Sequence, residues 1–148
     1  MGKKIWFLTG NLGKVKEAKQ HLQKLGYDVE QLIVDTDILE PQSDNLKLVA
    51  QAKITQALSH LPNENDMLLV EDAGLFIEHL NGFPGVFSAY VLNTIGCNGI
   101  LKLLAHLESE DPVMNGQMRR AEFQAVAALW TGDEILFGNG ICPGWISQ

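Results

Sequence analysis

Ile5-Trp6-Phe7-Leu8 is a continuous apolar run that stops at Thr9-Gly10-Asn11, the pattern of a strand covered on both faces and ending in a tight loop. Val15, Ala18, Leu22 and Leu25 recur at helical spacing, which predicts a helix that Gly26 terminates. Tyr27–Val34 reads as a second strand, with Val29 set among polar neighbours before Leu32-Ile33-Val34. From Asp35 to Asp44 the periodicity is lost, four residues are acidic, and Pro41 marks a loop. It returns near Asn45, where Leu46, Val49, Ala50, Ala57 and Leu61 share one face of a second helix that Ser43 or Asp44 would cap. Met67–Val70 is a third apolar strand, followed at once by Glu71-Asp72-Ala73-Gly74. Turns at Asn81-Gly82 and Pro84-Gly85 precede a helix predicted over Gly99–Leu107 with Ile100, Leu103 and Leu104 inward. Arg119–Trp130 predicts a long strand, and Glu134–Gly138 its hairpin partner across Thr131-Gly132-Asp133. Strands alternating with helices, then a strand pair, give the α/β class; with no repeat or linker, one domain over residues 1–148 is expected.

The 46% hydrophobic content suffices for one buried core in a chain of this length. A net charge of −7 argues against a general nucleic-acid binder, because phosphate backbones are held by clustered Lys and Arg. A polyanionic ligand must therefore be met locally, and a nucleotide accompanied by a divalent cation satisfies that condition. Cys97 and Cys142 lack metal-ligand spacing, so reduced thiols in a cytoplasm are expected. The apolar run at the start is too short for a secretory signal or a membrane span. His21, His60, His79 and His106 show neither ligand spacing nor triad logic and are assigned to the surface. Trp6, Trp130 and Trp145 are read as core or interface residues, with Trp145 open also to stacking on a base.

Three places could carry chemistry. Thr9-Gly10-Asn11-Leu12-Gly13-Lys14 joins a strand to a helix start, where backbone N–H groups and the positive helix end converge and suit phosphate. Lys14 adds a cation in the first helical turn, a position electrostatically disfavoured unless an anion lies nearby. An ordinary β-to-α turn with an exposed lysine would have the same spacing. Lys53 falls on the apolar stripe of the second helix, so it either snorkels past the core edge or meets a negative partner. Glu71-Asp72 follow an apolar strand, at the edge of an α/β sheet where ligands bind, and with Glu40 could hold a hard cation through oxygen ligands. Loop carboxylates that only solubilise the chain are the alternative.

Thr9-Gly10-Asn11 with Lys14 and Glu17 resembles the opening signature of the inosine triphosphate pyrophosphatase (Ham1-like) family. Val70-Glu71-Asp72-Ala73-Gly74-Leu75, continuing to Leu80-Asn81-Gly82-Phe83-Pro84-Gly85-Val86-Phe87-Ser88-Ala89-Tyr90, is the longer and more specific match. Glu40, Gln42 and Lys53 fall between the two in the family's order, and Arg120-Ala121-Glu122-Phe123 resembles its later strand. The resemblance implies a mixed sheet flanked by helices and a homodimer. It also implies a magnesium-dependent hydrolysis of noncanonical purine nucleoside triphosphates, by water attack between the α and β phosphates, to a monophosphate and pyrophosphate.

By the same resemblance Thr9, Gly10, Asn11, Lys14 and Lys53 meet the triphosphate, and Glu40 and Asp72 bind Mg²⁺, with Glu71 a further contributor. Asp72 is also the implied base that activates water. Ala73 stands where the family commonly has Ser or Thr, removing one hydroxyl from the substrate site. The family's Phe-Gly-Phe-Asp-Pro-like segment and Ser-His-Arg motif, which build the base pocket, do not occur. The expectation is a C-terminally shortened fold with altered or reduced base specificity. A noncatalytic nucleotide-binding or dimer-forming remnant is the rival, with Ile141, Trp145 and Ile146 as its apolar surface. A different phosphorylated small substrate is a third possibility.

Overall fold

The computed structural model describes residues 3–148, so Met1 and Gly2 lie outside it. The elements are β1 (Lys3–Leu8), α1 (Leu12–Leu22), β2 (Tyr27–Leu32), α2 (Leu46–Ala57), β3 (Met67–Ile77), β4 (Pro84–Gly85), α3 (Ser88–Thr94), α4 (Gly96–Leu103), α5 (Pro112–Met118), β5 (Arg120–Trp130) and β6 (Ile135–Trp145). They form a mixed sheet flanked by helices, the expected α/β class. Two compact units divide the chain. One takes in everything up to Asp72 together with Val126–Gly138; the other is Ala73–Ala125 with Asn139–Gln148.

The strand order of the sheet is β2-β1-β3-β5-β6, and β1 and β2 lie wholly in the first unit. β1 pairs in parallel with β2 through Leu8↔Leu32 and with β3 through Leu8↔Val70. Ile5 and Phe7 of β1 are buried, each 2% exposed, and pack with Val15, Val29 and Met67. Trp6 and Leu8, on the opposite face, are only partly covered, so the expectation of a strand buried on both faces needs correction. The reason lies in Trp6, whose indole N–H needs a partner and donates to the Asp66 carboxylate at 2.8 Å near the surface.

α1 ends in a single 3₁₀ turn, Gln23–Leu25, and Gly26 at φ 87° stops it as predicted, since only glycine takes the left-handed conformation without penalty. Leu25, in that turn, is exposed rather than inward. β2 ends at Leu32, where its pairing with β1 ends, leaving Ile33 exposed. β5 and β6 are joined through a turn in which the Thr131 N–H donates to the Glu134 carbonyl at 3.0 Å.

The cap of α2 is neither Ser43 nor Asp44. The side chain of Asn45 accepts from the backbone N–H groups of Lys47 and Leu48 at 2.9 and 3.3 Å. Ser43 acts one step earlier, accepting from the Asn45 N–H at 3.1 Å. Replacing Asn45→Ala is expected to cost about 1 kcal/mol in denaturant unfolding. Asp44→Ala should stay within roughly 0.5 kcal/mol of the parent. Equal losses for the two would remove Asn45 from the cap.

The second unit packs Ile77, Val91, Ile100, Leu104, Leu107 and Ala121 into its core. Ile100 and Leu104 are inward as expected, whereas Leu103 is exposed. Two short helices go beyond the sequence pattern. For α5 the signals were local: Asp111 caps it by accepting from the Val113 N–H at 2.9 Å, and Pro112 fills the first turn. Arg119, 3% exposed, precedes β5 and donates to the carbonyls of Leu104, Ile146 and Ser147. A buried guanidinium is tolerated here because these carbonyls take three of its donors. β6 extends to Trp145 despite Gly138, Gly140, Pro143 and Gly144 because it is the last strand in the order, where proline and glycine are permitted. Trp145 is 71% exposed, and all four histidines lie at the surface.

Candidate active site

β1 has β2 on one side and β3 on the other, although the chain visits them in turn, so the strand order reverses at β1. Ligands of open α/β sheets bind at the carboxyl ends of strands at such a reversal. Thr9-Gly10-Asn11 leaves β1 at this point. Glu71-Asp72 lies one step past Val70, the last residue of β3 paired with β1. The sequence placed these carboxylates at a strand end; β3 in fact continues through them to Ile77. They remain where β1 pairing stops.

The loop after β1 is held by its own polar side chains. Thr9 Oγ1 accepts from the Asn11 N–H at 3.1 Å. Asn11 Oδ1 accepts from Gly13 N–H at 2.9 Å and Lys14 N–H at 3.4 Å, capping α1. Gly10 is exposed, and a Cβ built on it would meet no protein atom within 4 Å. Neither packing nor a left-handed φ therefore requires glycine at this position. Gln31 of β2 fixes the loop from beside it, donating from Nε2 to the Thr9 carbonyl at 2.8 Å.

Three carboxylates and two lysines form two ion-pair systems. Lys14 Nζ meets Glu71 Oε1 at 3.0 Å, which supplies the anion that its place in the first helical turn demands. Lys53 Nζ lies 2.6 Å from Glu40 Oε1 and 3.1 Å from Asp72 Oδ1. Lys53 therefore neither snorkels nor stands free: it bridges the acidic loop to β3. Its side chain and that of Asp72 are 15% and 13% exposed, while Glu40 is 54% exposed.

Burial acts to lower the Lys53 pKa, but the hydrogen bond to Glu40 and the charge of Asp72 outweigh it and raise the pKa above the usual lysine range. Burial raises the Asp72 carboxyl above the usual aspartate range, against the opposing pull of Lys53. Asp72 Oδ2 is buried without a hydrogen-bond partner. Among the described residues, no three His, Cys, Asp or Glu side chains are grouped closely enough to hold a metal by themselves. Glu40 and Asp72 share one ammonium; Glu71 is taken by Lys14. Ala73, the next residue of β3, belongs to the second unit.

Gln56 escaped the sequence reading. It lies one helical turn beyond Lys53 on α2, and its amide both accepts from the Leu39 N–H at 2.8 Å and donates to the Leu39 carbonyl. The spacing of three from Lys53 is the signal that could have flagged it.

Fold and site define an α/β protein whose polar centre sits where a parallel strand order reverses. The sequence pattern of the Ham1 family matches residues 5–148, and the chain belongs to that family. It is 47% identical over 123 residues to a dITP/XTP pyrophosphatase of Methanopyrus kandleri, covering 83% of this chain and 58% of the relative. It is 39% identical over 134 residues to a dITP/XTP pyrophosphatase of Thermococcus kodakarensis, covering 90% of this chain and 65% of the relative. The chain thus spans less than two thirds of the length of these relatives. The solved Ham1 protein of Staphylococcus aureus matches with a TM-score of 0.74 at 29% identity, over 98% of this chain and 72% of that one.

Proposed function

We propose that this chain is a magnesium-dependent nucleoside triphosphate pyrophosphatase that releases a nucleoside monophosphate and pyrophosphate from noncanonical purine triphosphates, with altered or reduced base specificity. The observation that carries the reading is the Glu40–Lys53–Asp72 system with its unpartnered Asp72 Oδ2, set at the strand-order reversal beside a capped helix start. The names of the related dITP/XTP pyrophosphatases support the substrate class. Ala73, where the resemblance puts a hydroxyl, takes one contact away from the substrate site.

The donor set fits magnesium. This ion takes hard oxygen ligands and is held by one or two carboxylates, substrate phosphates and retained waters rather than by a full protein cage. An orphaned buried carboxylate oxygen is the kind of atom that a cation or an ordered water satisfies. Glu40 and Asp72 would hold the ion, with Glu71 in support, and when bound it would offset charge on the phosphates and on the leaving pyrophosphate.

The remaining steps belong to the chain. Backbone N–H groups at the α1 start, with Thr9, Gly10 and Asn11, would cradle the triphosphate, and Gly10 leaves open space for its approach. Lys14 and Lys53, released from their carboxylates by phosphate, would neutralise the oxygens that gain charge. Asp72 would orient a water and take its proton as the water oxygen bonds to the α phosphorus. The bond from that phosphorus to the bridging oxygen breaks, and pyrophosphate leaves with the electron pair. A carboxyl raised by burial is a better proton acceptor than an ordinary aspartate.

A homodimer in a cytoplasm completes the proposal, with the free thiols of Cys97 and Cys142 in keeping with a reducing compartment. Among the described residues no helix is long and apolar enough to cross a membrane. The exposed Ile141 and Trp145 favour the rival, a nucleotide-binding dimer without turnover.

Incubation with inosine, xanthosine and standard triphosphates plus magnesium should release pyrophosphate, and EDTA should stop it. No release from any triphosphate at high enzyme concentration sinks the catalytic reading. A dimer by light scattering that binds nucleotide without turnover would establish the rival.

A further inference from the structure

Glu40 sits on the stretch between β2 and α2, residues 33–45, which forms neither helix nor strand. Apolar packing does not anchor its neighbour Leu39, which is 73% exposed. The ion pair from Glu40 to Lys53 is a weak tether by itself, because a half-exposed carboxylate pays side-chain entropy for a screened attraction. The backbone of Leu39 is instead gripped from α2. Gln56 Oε1 accepts the Leu39 N–H at 2.8 Å, and Gln56 Nε2 donates to the Leu39 carbonyl at 2.5 Å. The same Nε2 reaches the Ala52 carbonyl at 3.2 Å, which ties the amide back to its own helix. One side chain thus reproduces the two-bond pairing of a strand neighbour at the residue before Glu40.

We propose that Gln56 is a positioning residue that holds Glu40 beside Lys53 and Asp72 for a divalent cation. The inference rests on the metal role proposed above for Glu40 and Asp72. Gln56 and Lys53 leave the same face of α2, so one rigid helix sets both the loop's backbone and the ammonium its carboxylate meets. Groups that orient a metal-binding carboxylate without touching the metal govern affinity more than turnover.

The test compares the full chain with Gln56→Leu, which keeps the bulk and removes both hydrogen bonds. Amide hydrogen exchange at Leu39 should accelerate in the variant. Mn²⁺ affinity, followed by electron paramagnetic resonance, should weaken by roughly tenfold. The Mg²⁺ concentration for half-maximal pyrophosphate release should rise by about the same factor, while kcat at saturating Mg²⁺ stays within about twofold. A residue that only supports the fold would lower activity at every metal concentration and leave the midpoint in place. Superimposable Mn²⁺ titrations, or unchanged exchange at Leu39, overturn the role of Gln56 alone. No Mn²⁺ binding by the unmodified protein overturns the metal reading beneath it, and the role of Gln56 with it.

Discussion

Asp72→Asn is expected to lower pyrophosphate release by roughly 10²–10⁴-fold, the usual contribution of a positioned proton acceptor, in a protein that melts at or above the temperature of the parent. The loss of turnover follows from the proposed role, since an amide can neither take the proton from water nor bind a hard cation as an anion. The stability outcome has a separate origin. Burial raises the Asp72 pKa, and the attraction of Lys53 does not cancel it. A carboxyl whose pKa is raised on folding contributes stability that is full below the ordinary aspartate range and lost as pH rises through the raised value. At neutral pH the fold therefore carries the ionised Asp72 at a cost.

Asparagine keeps the size and removes the charge, while Glu40 remains at 2.6 Å to pair Lys53. The advantage of the variant should shrink as the pH of the melt is lowered, because the parent then protonates. Thermal melts at neutral and acidic pH with pyrophosphate assays on the same samples check both halves. Undiminished turnover removes Asp72 from the reaction, and a clear fall in melting temperature shows that the pair with Lys53 outweighs burial.

This cost explains what the sequence could and could not disclose. Glu40, Lys53 and Asp72 are far apart along the chain; the residue types alone joined Glu40 to Asp72 as cation ligands, but Lys53 read as a separate lysine on an apolar stripe, and only the resemblance brought it to the same substrate. Their meeting depends on β3 lying beside β1 while α2 crosses back, a consequence of non-local strand pairing. Periodicity located β1, α1 and β2 to within a few residues because their signals are local: the apolar run, the 3.6-residue stripe and the glycine stop. It ended β3 at Val70 because polar Glu71 and Asp72 break the hydrophobic pattern. The strand persists because its later residues Leu75 and Phe76 find partners in Gly85 and Pro84.

The caps were legible in principle. Asn11 and Asn45 each stand one residue before a leucine that opens a helix, and each accepts from the N–H groups two and three residues on. Ser43, Asp44 and Asn45 are three consecutive residues of N-cap type, and only the backbone decides which of them stands at the cap. Ser88, part of the long family-like block, shows the opposite limit. Its hydroxyl accepts the Leu75 N–H at 2.8 Å and donates to the Gly85 carbonyl at 2.6 Å, so this member of the block braces backbone, a role that no local pattern discloses.

Gly74→Ala, two residues along β3 from Asp72, is expected to destabilise the protein by about 3 kcal/mol. A Cβ built on Gly74 would stand 2.7 Å from the Gly85 carbonyl carbon, inside any real van der Waals separation. Backbone, not the tip of a flexible side chain, occupies the space. Gly85 cannot retreat cheaply, because its carbonyl holds Ser88 and Ser88 holds the Leu75 N–H, and because Leu75 pairs with Gly85 directly. Moving one strand thus breaks three linked contacts.

By the usual scaling for a chain near this size, the melting temperature should fall by roughly 6–12 °C in a circular dichroism melt. Gly10→Ala is the control: no protein atom lies within 4 Å of its Cβ, so its melt should match the parent, while binding of a triphosphate, if it follows the proposed path over Gly10, should weaken. A Gly74→Ala protein melting within about 2 °C of the parent would mean that β4 yields where the ladder of contacts says it cannot. A large fall for Gly74→Ala beside an unchanged melt for Gly10→Ala separates the two glycines on different grounds, one fixed by the protein's own backbone and the other left open to a ligand.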